Sequence, residues 1–537
     1  MRSYRLLASS LALLSAPVAL GAQVQSSNIQ LPADAATNKQ AVVDIFTQSY
    51  SSYQQFAAGH DEVAPIRKTA LDPRNGWGAS VVDAMTTMYI MGLDDLFSDA
   101  LTFAQNINFN QSATSDTVSV FESTIRYVAG LLSAYELSGK QHPFLVDKAK
   151  ELADRLSLGF QSGSPVPYGF VDFKGNKPVQ DSSNIAEAGT LTMEWAKLSE
   201  YTGNDTYRQL AEGAARTFPI RAQNRIPDDP SGFPAQGIDP ATGEPVGGYV
   251  TWGGGSDSYL EYLIKYPRLT NTDDDFFVNT WTVAVETSVN TLAKALQRST
   301  VGNFLYLADY DDNRQIRHTG SHLACFHAGN WLLGGKLLNN DTIVNLGLEL
   351  NDACWNTYAG TATGIGPETF AFASSDGDFT GNGDPNSQQT AFYQQHGYYI
   401  TDSDYVQRPE VLESNFYAWR VTGDTKYTDR AASAVNSFNE FLKVDTGFTG
   451  INNVDNTSGG RVDETESFWF AEVLKYLYLT FDDPEKYSLD NYVFNTEAHP
   501  FAAPPAKASY GSGIAPATIT QPFVAKLGPL PQVSPRA

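Results

Sequence analysis

Cysteine is nearly absent: Cys325 and Cys354 are the only two in 537 residues. Two cysteines cannot staple so long a chain, so its hydrophobic core must carry the stability. A single bridge, formed in an oxidising compartment, would add roughly 3–4 kcal/mol. Positive charge is also scarce. Thirty-six Lys and Arg face 60 Asp and Glu, a formal charge of −24, which argues against nucleic acid or an anionic membrane as partner. Beyond the N-terminal leader no stretch is apolar enough to span a bilayer.

Several catalytic signatures are missing as well. His322 and His327 lie five apart and lack the HExxH spacing of a zinc site. No nucleophile-elbow serine and no phosphate-cradling glycine loop occurs. Asp376, Asp378, Thr380 and Gly381 begin like a calcium-binding loop, but its twelfth position is Ser387 instead of Glu.

What is present begins with a leader. Residues 1–22 carry Arg2 and Arg5, a mostly apolar run from Leu6 to Leu20, and small residues at Gly21 and Ala22, the pattern of a signal peptide. Residues 23–39 are polar and read as a loose lead-in. Helical periodicity then predicts helices near 40–58, 80–92, 94–106, 119–138, 143–158, 183–202 and 205–217. It continues with 256–266, 273–298, 321–336, 341–358, 409–422, 426–443 and 465–481. Fourteen helices make seven consecutive pairs, and strand-like alternation is scarce, so an all-α toroid over 40–501 is expected. The long connections 159–182, 223–255 and 361–405 are of a length often reserved for function. Residues 487–501 contain a possible hairpin, and 502–537 turn to Ala, Pro, Gly and Ser, the composition of an extended tail. Four sequons, at Asn110, Asn204, Asn340 and Asn456, can accept N-glycans in a secretory chain.

Carboxylates recur at one kind of place, the starts of alternate helices. Asp83 follows Ser80, and Glu122 follows Ser119, at capping-box spacing. Asp257 and Glu261 follow three glycines, Gly253 to Gly255. Glu410 and Glu413 sit behind Arg408-Pro409, with proline at a favoured first-turn position. Each has a bland reading as helix-end charge, worth about 0.3–1 kcal/mol, and Glu122 can also pair with Arg126. Glu472 is harder to explain, because it stands in the mostly apolar run Ser467 to Tyr476; there a surface pairing with Lys475 is the alternative. Helix starts of an inner ring converge at one end. Five or more carboxylates gathered there repel one another, which suits sugar cleavage, a cation site, or both.

Taken together, these stretches resemble the class I α-1,2-mannosidases, glycoside hydrolase family 47, in their secreted fungal form. The matching segments are Gly76 to Ala84, Phe121 to Arg126, Asp257 to Leu263, Arg408 to Ser414, Ser467 to Glu472 and Phe494 to Glu497. The resemblance runs from about residue 40 to 500 in the family's order. It implies an (α/α)7 barrel plugged at one end by a C-terminal β-hairpin, a Cys325–Cys354 disulfide, and a Ca2+ ion held by Thr496. The implied activity is inverting removal of terminal α-1,2-linked mannose from high-mannose N-glycans. Inversion calls for an acid and a base about 6.5–9.5 Å apart, with room for water.

By resemblance Glu122 is the acid, Glu410 the base and Asp257 a third catalytic carboxyl whose share with Glu122 stays open. Phe468 is implied to stack on the mannose, with Asp83, Arg126, Glu261, Arg408, Glu413, Glu472 and Glu497 around it. Gly255 departs from family members that carry a bulky Arg or Leu there, and predicts a roomier cleft that trims several mannoses. The alternative is a catalytically idle, mannose-binding relative. The leader predicts a secreted protein, with the Golgi or endoplasmic reticulum lumen as the other location, and a monomer is expected; no KDEL-type ending occurs.

Overall fold

The computed structural model describes residues 21–512, apart from 115–116, 161–162, 222–232, 291–294, 314 and 376–382. Most of the leader, the calcium-loop-like segment from Asp376 to Gly381 and the tail beyond residue 512 therefore lie outside the described residues.

Seven helical segments form an inner ring: Ala79–Met91, 120–137, 185–202, Asp257–Thr270, Phe326–Leu337, Glu410–Thr422 and 467–481. Each packs on its neighbour, and the last packs back on the first, closing the toroid. These helices are apolar nearly all round because both faces are covered; all eight residues of Leu474–Phe481 are buried. Six outer helices each follow the inner helix they cover. Phe144–Leu156 shows why: it buries Leu145, Val146, Ala149, Leu152, Ala153 and Leu156, one helical stripe, and leaves the other face to water. The seventh outer place belongs to the first helix, Ala35–Phe56, which packs against Leu474–Phe481 and so joins the two ends of the chain. The (α/α)7 architecture stands as expected.

Several local expectations change. Residues 120–137 and 467–481 are not plain α-helices, since each contains a π-turn, Thr124–Val128 and Trp469–Val473. Thr190 and Leu191 interrupt 185–202. Ser80 and Asp83 form no capping box; the cap is Gly78 at φ +78°, and Asp83 lies beyond the first turn. The lead-in is not loose at its start, because the backbone N–H of Val24 donates to Asp490 at 2.7 Å and Gln25 is anchored to Pro484. The first residues of the expected tail also pack: the Pro504 carbonyl accepts from Arg268, and Tyr510 is buried. The helix Ser387–His396 was missed inside the expected 361–405 loop, although Asn386 and Gln389 form a full capping box.

Short antiparallel sheets lead the chain into the inner helices at one end. Val118–Ser119 pairs with Phe170–Asp172 ahead of Val120, and Ser183–Asn184 pairs with Gly237–Asp239 ahead of Ile185. The hairpin of Tyr492–Phe494 and Pro500–Ala502 enters from the other end, with Phe494 paired to Pro500. Phe494 and Phe501 are fully buried. Polar ties fix the hairpin to the ring: Lys475 donates to Ala498, Ser133 to Pro500, and Asn495 to Ile125. Cys325 and Cys354 are bonded, joining an inner helix start to the outer helix Asp341–Ala359.

Candidate active site

The ring encloses a cavity of about 200 Å³, floored by the hairpin turn at Thr496 and Glu497 and open towards the short sheets. Its wall collects first-turn carboxylates from four of the seven inner helices: Glu122, Glu187, Asp257, Glu410 and Glu413. Glu261, Glu472, Arg126, Arg408 and Phe468 line it too. A larger groove of about 770 Å³ near Tyr201 and Pro504 contains Glu136, Glu200 and Asp205 together with Lys140, Lys197 and Arg208. Its mixed charges include Lys197 bridged to Glu136 and Glu200, so the floor-and-wall cavity is the better place for chemistry.

Glu122 starts its helix over Ser119, whose hydroxyl accepts the Glu122 N–H at 3.1 Å. The Glu122 side chain accepts from Arg126 Nε at 2.8 Å and lies 3.5 Å from Arg74. Burial raises its pKa, but Arg74 and Arg126 outweigh burial and bring it to about 2. Asp257 behaves oppositely. Burial, then Glu261 and Glu410, push it up to about 7, although the Ser258 N–H donates to it. Of the two, Asp257 is the one that holds a proton near neutrality.

Glu410 carries a second relationship that helix-start reasoning did not show. Its Oε2 lies 2.8 Å from His322 Nδ1, and His322 Nε2 lies 2.8 Å from the Tyr358 hydroxyl. With the proton on Nδ1, His322 donates to Glu410 and accepts from Tyr358. Arg408, two residues before Glu410, donates to Glu368.

Arg126 sits within its π-turn and binds Glu497, with Asp83 at 3.5 Å and the Phe468 ring 5.6 Å from its guanidinium carbon. Glu472 lies within the other π-turn. A π-turn shifts the side chains that follow it around the helix, and such turns gather at functional sites. Burial, reinforced by Glu497, Glu410 and Glu413, raises Glu472 well above the usual carboxyl range. Lys475 directs its ammonium to the Ala498 carbonyl at 2.7 Å and makes no ion pair with Glu472. Burial lowers Lys475 to about 7. Glu261 pairs with Lys265, which also stands 3.8 Å from Glu413. Burial raises Glu413 to about 8, against the opposing pull of Lys265.

Thr496 is half-buried at the hairpin turn, and its backbone N–H donates to Tyr262. It faces a wall of hard oxygen donors, several of which burial pushes above the usual carboxyl range. That donor set fits a hard metal cation. Glu62, Glu464 and Glu466 form another acidic group that could hold a metal, each with an oxygen within 4.8 Å of the others. Thr496 is not part of it.

The structure brings together every sequence-expected residue except Asp83. Asp83 is fully buried behind Arg126, near His499, and does not line the cavity. Its carboxylate lies 3.5 Å from Arg126, which does line the cavity. Reasoning from sequence missed Glu187, although Asn184-x-x-Glu187 repeats the Ser119-x-x-Glu122 spacing and Asn184 does cap Glu187. It also missed His322 as a partner of Glu410, having weighed it only as a zinc ligand. No local signal could have supplied Tyr358 or Arg74.

A family model described as glycosyl hydrolase family 47 matches residues 45–503. The chain is 38% identical over 477 residues to mannosyl-oligosaccharide alpha-1,2-mannosidase 1B of Emericella nidulans, covering 86% of this chain and 92% of that one. It is 36% identical over 484 residues to the mannosyl-oligosaccharide alpha-1,2-mannosidase of Penicillium citrinum, covering 86% and 91%. The solved alpha-1,2-mannosidase from Trichoderma reesei superposes with a TM-score of 0.82 at 34% identity, over 87% of this chain and 99% of that chain.

Proposed function

Because the chain belongs to glycosyl hydrolase family 47, we propose that it removes terminal α-1,2-linked mannose from high-mannose N-glycans, with inversion. The observation that carries this reading is a single cavity lined by Glu122, Asp257, Glu410, Phe468 and Thr496. A pocket floored by the hairpin admits a chain end and not an internal residue, which makes the enzyme exo-acting. The terminal mannose lies deep, with Phe468 against its ring and Arg126, Glu261, Glu413, Glu472 and Glu497 in reach of its hydroxyls.

Glu410 is the base that takes a proton from the attacking water, and His322 holds its second oxygen in place. Asp257 is the reservoir of the proton that reaches the leaving oxygen. Glu122, kept ionised by Arg74 and Arg126, orients that proton's path, by itself or through a water. This shifts the acid's role from Glu122 towards Asp257, since a carboxyl at about 2 holds almost no proton at the pH of catalysis. Arg408 positions the start of the Glu410 helix.

A Ca2+ ion would be held by Thr496, with the neighbouring carboxylates acting through water, and when bound it supplies positive charge that orients the sugar hydroxyls. Gly255 leaves the approach to Asp257 without a side chain, which supports trimming of several mannoses per glycan. The leader and the sequons at Asn110, Asn204, Asn340 and Asn456 support a secreted glycoprotein, acting as a monomer with residues 40–501 as its catalytic domain. No helix among the described residues is long and apolar enough to cross a membrane.

Release of mannose from α-1,2-mannobiose, lost on chelation and restored by Ca2+, tests the reading. Binding of the disaccharide without any release would favour an idle mannose-binding relative. The anomer formed first, read by NMR, tests inversion.

A further inference from the structure

The three-stranded sheet beside Glu122 breaks the usual rule for a surface sheet. Val118 on its first strand, Val171 on its second and Pro178 on its third are buried, and they form the face turned to the core. Alternation should then place polar side chains on the other face. Beside the polar pair Asp172 and Lys177, however, that face carries the row Ser119, Phe170 and Val179, one residue from each strand in direct register. Phe170 is 42% exposed and Val179 is 36% exposed, two of only four large hydrophobics so open among the described residues. Phe170 stacks on no other aromatic ring among the described residues, so packing does not explain it.

The row has a direction. Ser119 caps the helix that bears Glu122, and its hydroxyl points at the Glu122 N–H. Residues in register across a sheet share a face, and strands lie about 4.8 Å apart. Phe170 is therefore one strand, and Val179 two strands, out from the catalytic carboxylate. Phe170 itself lines the cavity, so the row is continuous with the site. The hairpin closes the opposite end, so whatever part of a glycan is not being cleaved must leave past this mouth.

We propose that Phe170, extended by Val179, is an aromatic platform that stacks on a sugar ring in the uncleaved part of the glycan. The inference rests on the mannosidase reading above and assigns the outer subsite that reading leaves without residues. The apolar face of a hexopyranose, its C–H groups on one side, is what a flat exposed ring recognises. Phe468, deep in the cavity, serves the cleaved mannose, and Phe170 serves the remainder. The two rings set binding strength at different places, so Phe170 affects capture of a large glycan and not the chemical step.

The test compares wild type with Phe170→Ala, Phe170→Leu and Phe170→Trp. KM and kcat are measured on a nine-mannose glycan, and the affinity of a mannose-like imino-sugar reports the deep site alone. Phe170→Ala should raise KM for the glycan about 3–10-fold, the size of one stacking contact, while kcat and imino-sugar affinity hold. Phe170→Trp should keep or lower KM, and Phe170→Leu, apolar but not flat, should fall with Ala. An unchanged glycan KM in Phe170→Ala, or equal losses of imino-sugar affinity and kcat, would overturn the platform while leaving the mannosidase reading intact. Absence of mannose release by the wild type would overturn that reading and the platform with it.

Discussion

His322 Nδ1 lies 2.8 Å from Glu410 Oε2, inside a wall where the His322 side chain has no exposure at all. One oxygen of Glu410 is thereby fixed by a buried donor, and the other is left for the cavity. The first prediction follows. Glu410→Gln should keep the fold and lower kcat by roughly 10²–10⁴-fold, the usual contribution of a positioned base. His322→Ala should keep KM within about threefold and lower kcat by about 10–100-fold, because a base misplaced by an ångström costs on that order. Tyr358→Phe, which removes the outer donor, should lose less. Equal activity of His322→Ala and wild type would show that Glu410 needs no such support.

The opposed environments of Glu122 and Asp257 set the pH profile. Asp257, raised to about 7 by burial first and by Glu261 and Glu410 next, should give kcat/KM a descending limb near neutrality as it loses its proton. Asp257→Asn should lose most activity and that limb together. Glu122, brought to about 2 by Arg74 and Arg126 against burial, should add no limb above pH 4. Loss of the descending limb in Glu122→Gln, with that limb kept in Asp257→Asn, would return the proton-donor role to Glu122.

Stability should depend on pH in the direction set by the raised carboxyls. Folded-state values of about 7 for Asp257 and about 8 for Glu413 exceed their unfolded values. Their contribution is full below the unfolded carboxyl range, near 4, and is lost as pH rises towards 8. Metal-free protein should therefore melt higher at pH 5 than at pH 8. Ca2+ should restore the pH 8 melting temperature more than the pH 5 one, because it offsets the charges that have by then appeared. Calorimetry with and without chelator checks both, and a calcium effect independent of pH would count against Thr496 and its neighbours as the site.

Cys325 and Cys354 link an inner helix to its outer partner three residues from His322. Replacing both with serine should cost roughly 3 kcal/mol in denaturant unfolding. Because Cys325 also accepts from Ser414, one residue after Glu413, activity should fall at temperatures well below the new melting point. Unchanged stability would assign the bridge to assembly during folding instead.

Gly255 lies two residues before Asp257 at φ +86°. Gly255→Arg should narrow the product range on a nine-mannose glycan, and the left-handed backbone should cost about 1–3 kcal/mol of stability. Product analysis by mass decides it; an unaltered spectrum would place branch selection elsewhere.

The toroid was legible in the chain because its physics is local. Apolar residues at helical spacing mark each element, and short links force neighbours together, so fourteen periodic segments read as seven pairs. The carboxylates at helix starts were legible for the same reason, and Glu187 could have been found by the spacing that revealed Glu122. The π-turns were not, since these helices are buried nearly all round and carry no single apolar stripe whose phase would reveal the extra residue. Nor was the loose-looking start at Val24 and Gln25, whose order comes from Asp490 and Pro484, more than 450 residues away.

By itself, then, the sequence determined the paired-helix toroid, the wall of acidic residues and the position of Thr496 near the end of the chain. Tertiary structure alone decided what each carboxylate does. Glu122 and Asp257 begin similar helices, but one faces two guanidinium groups and the other faces Glu261 and Glu410. Charge state depends on distance and burial across the ring, and spacing along the chain carries neither.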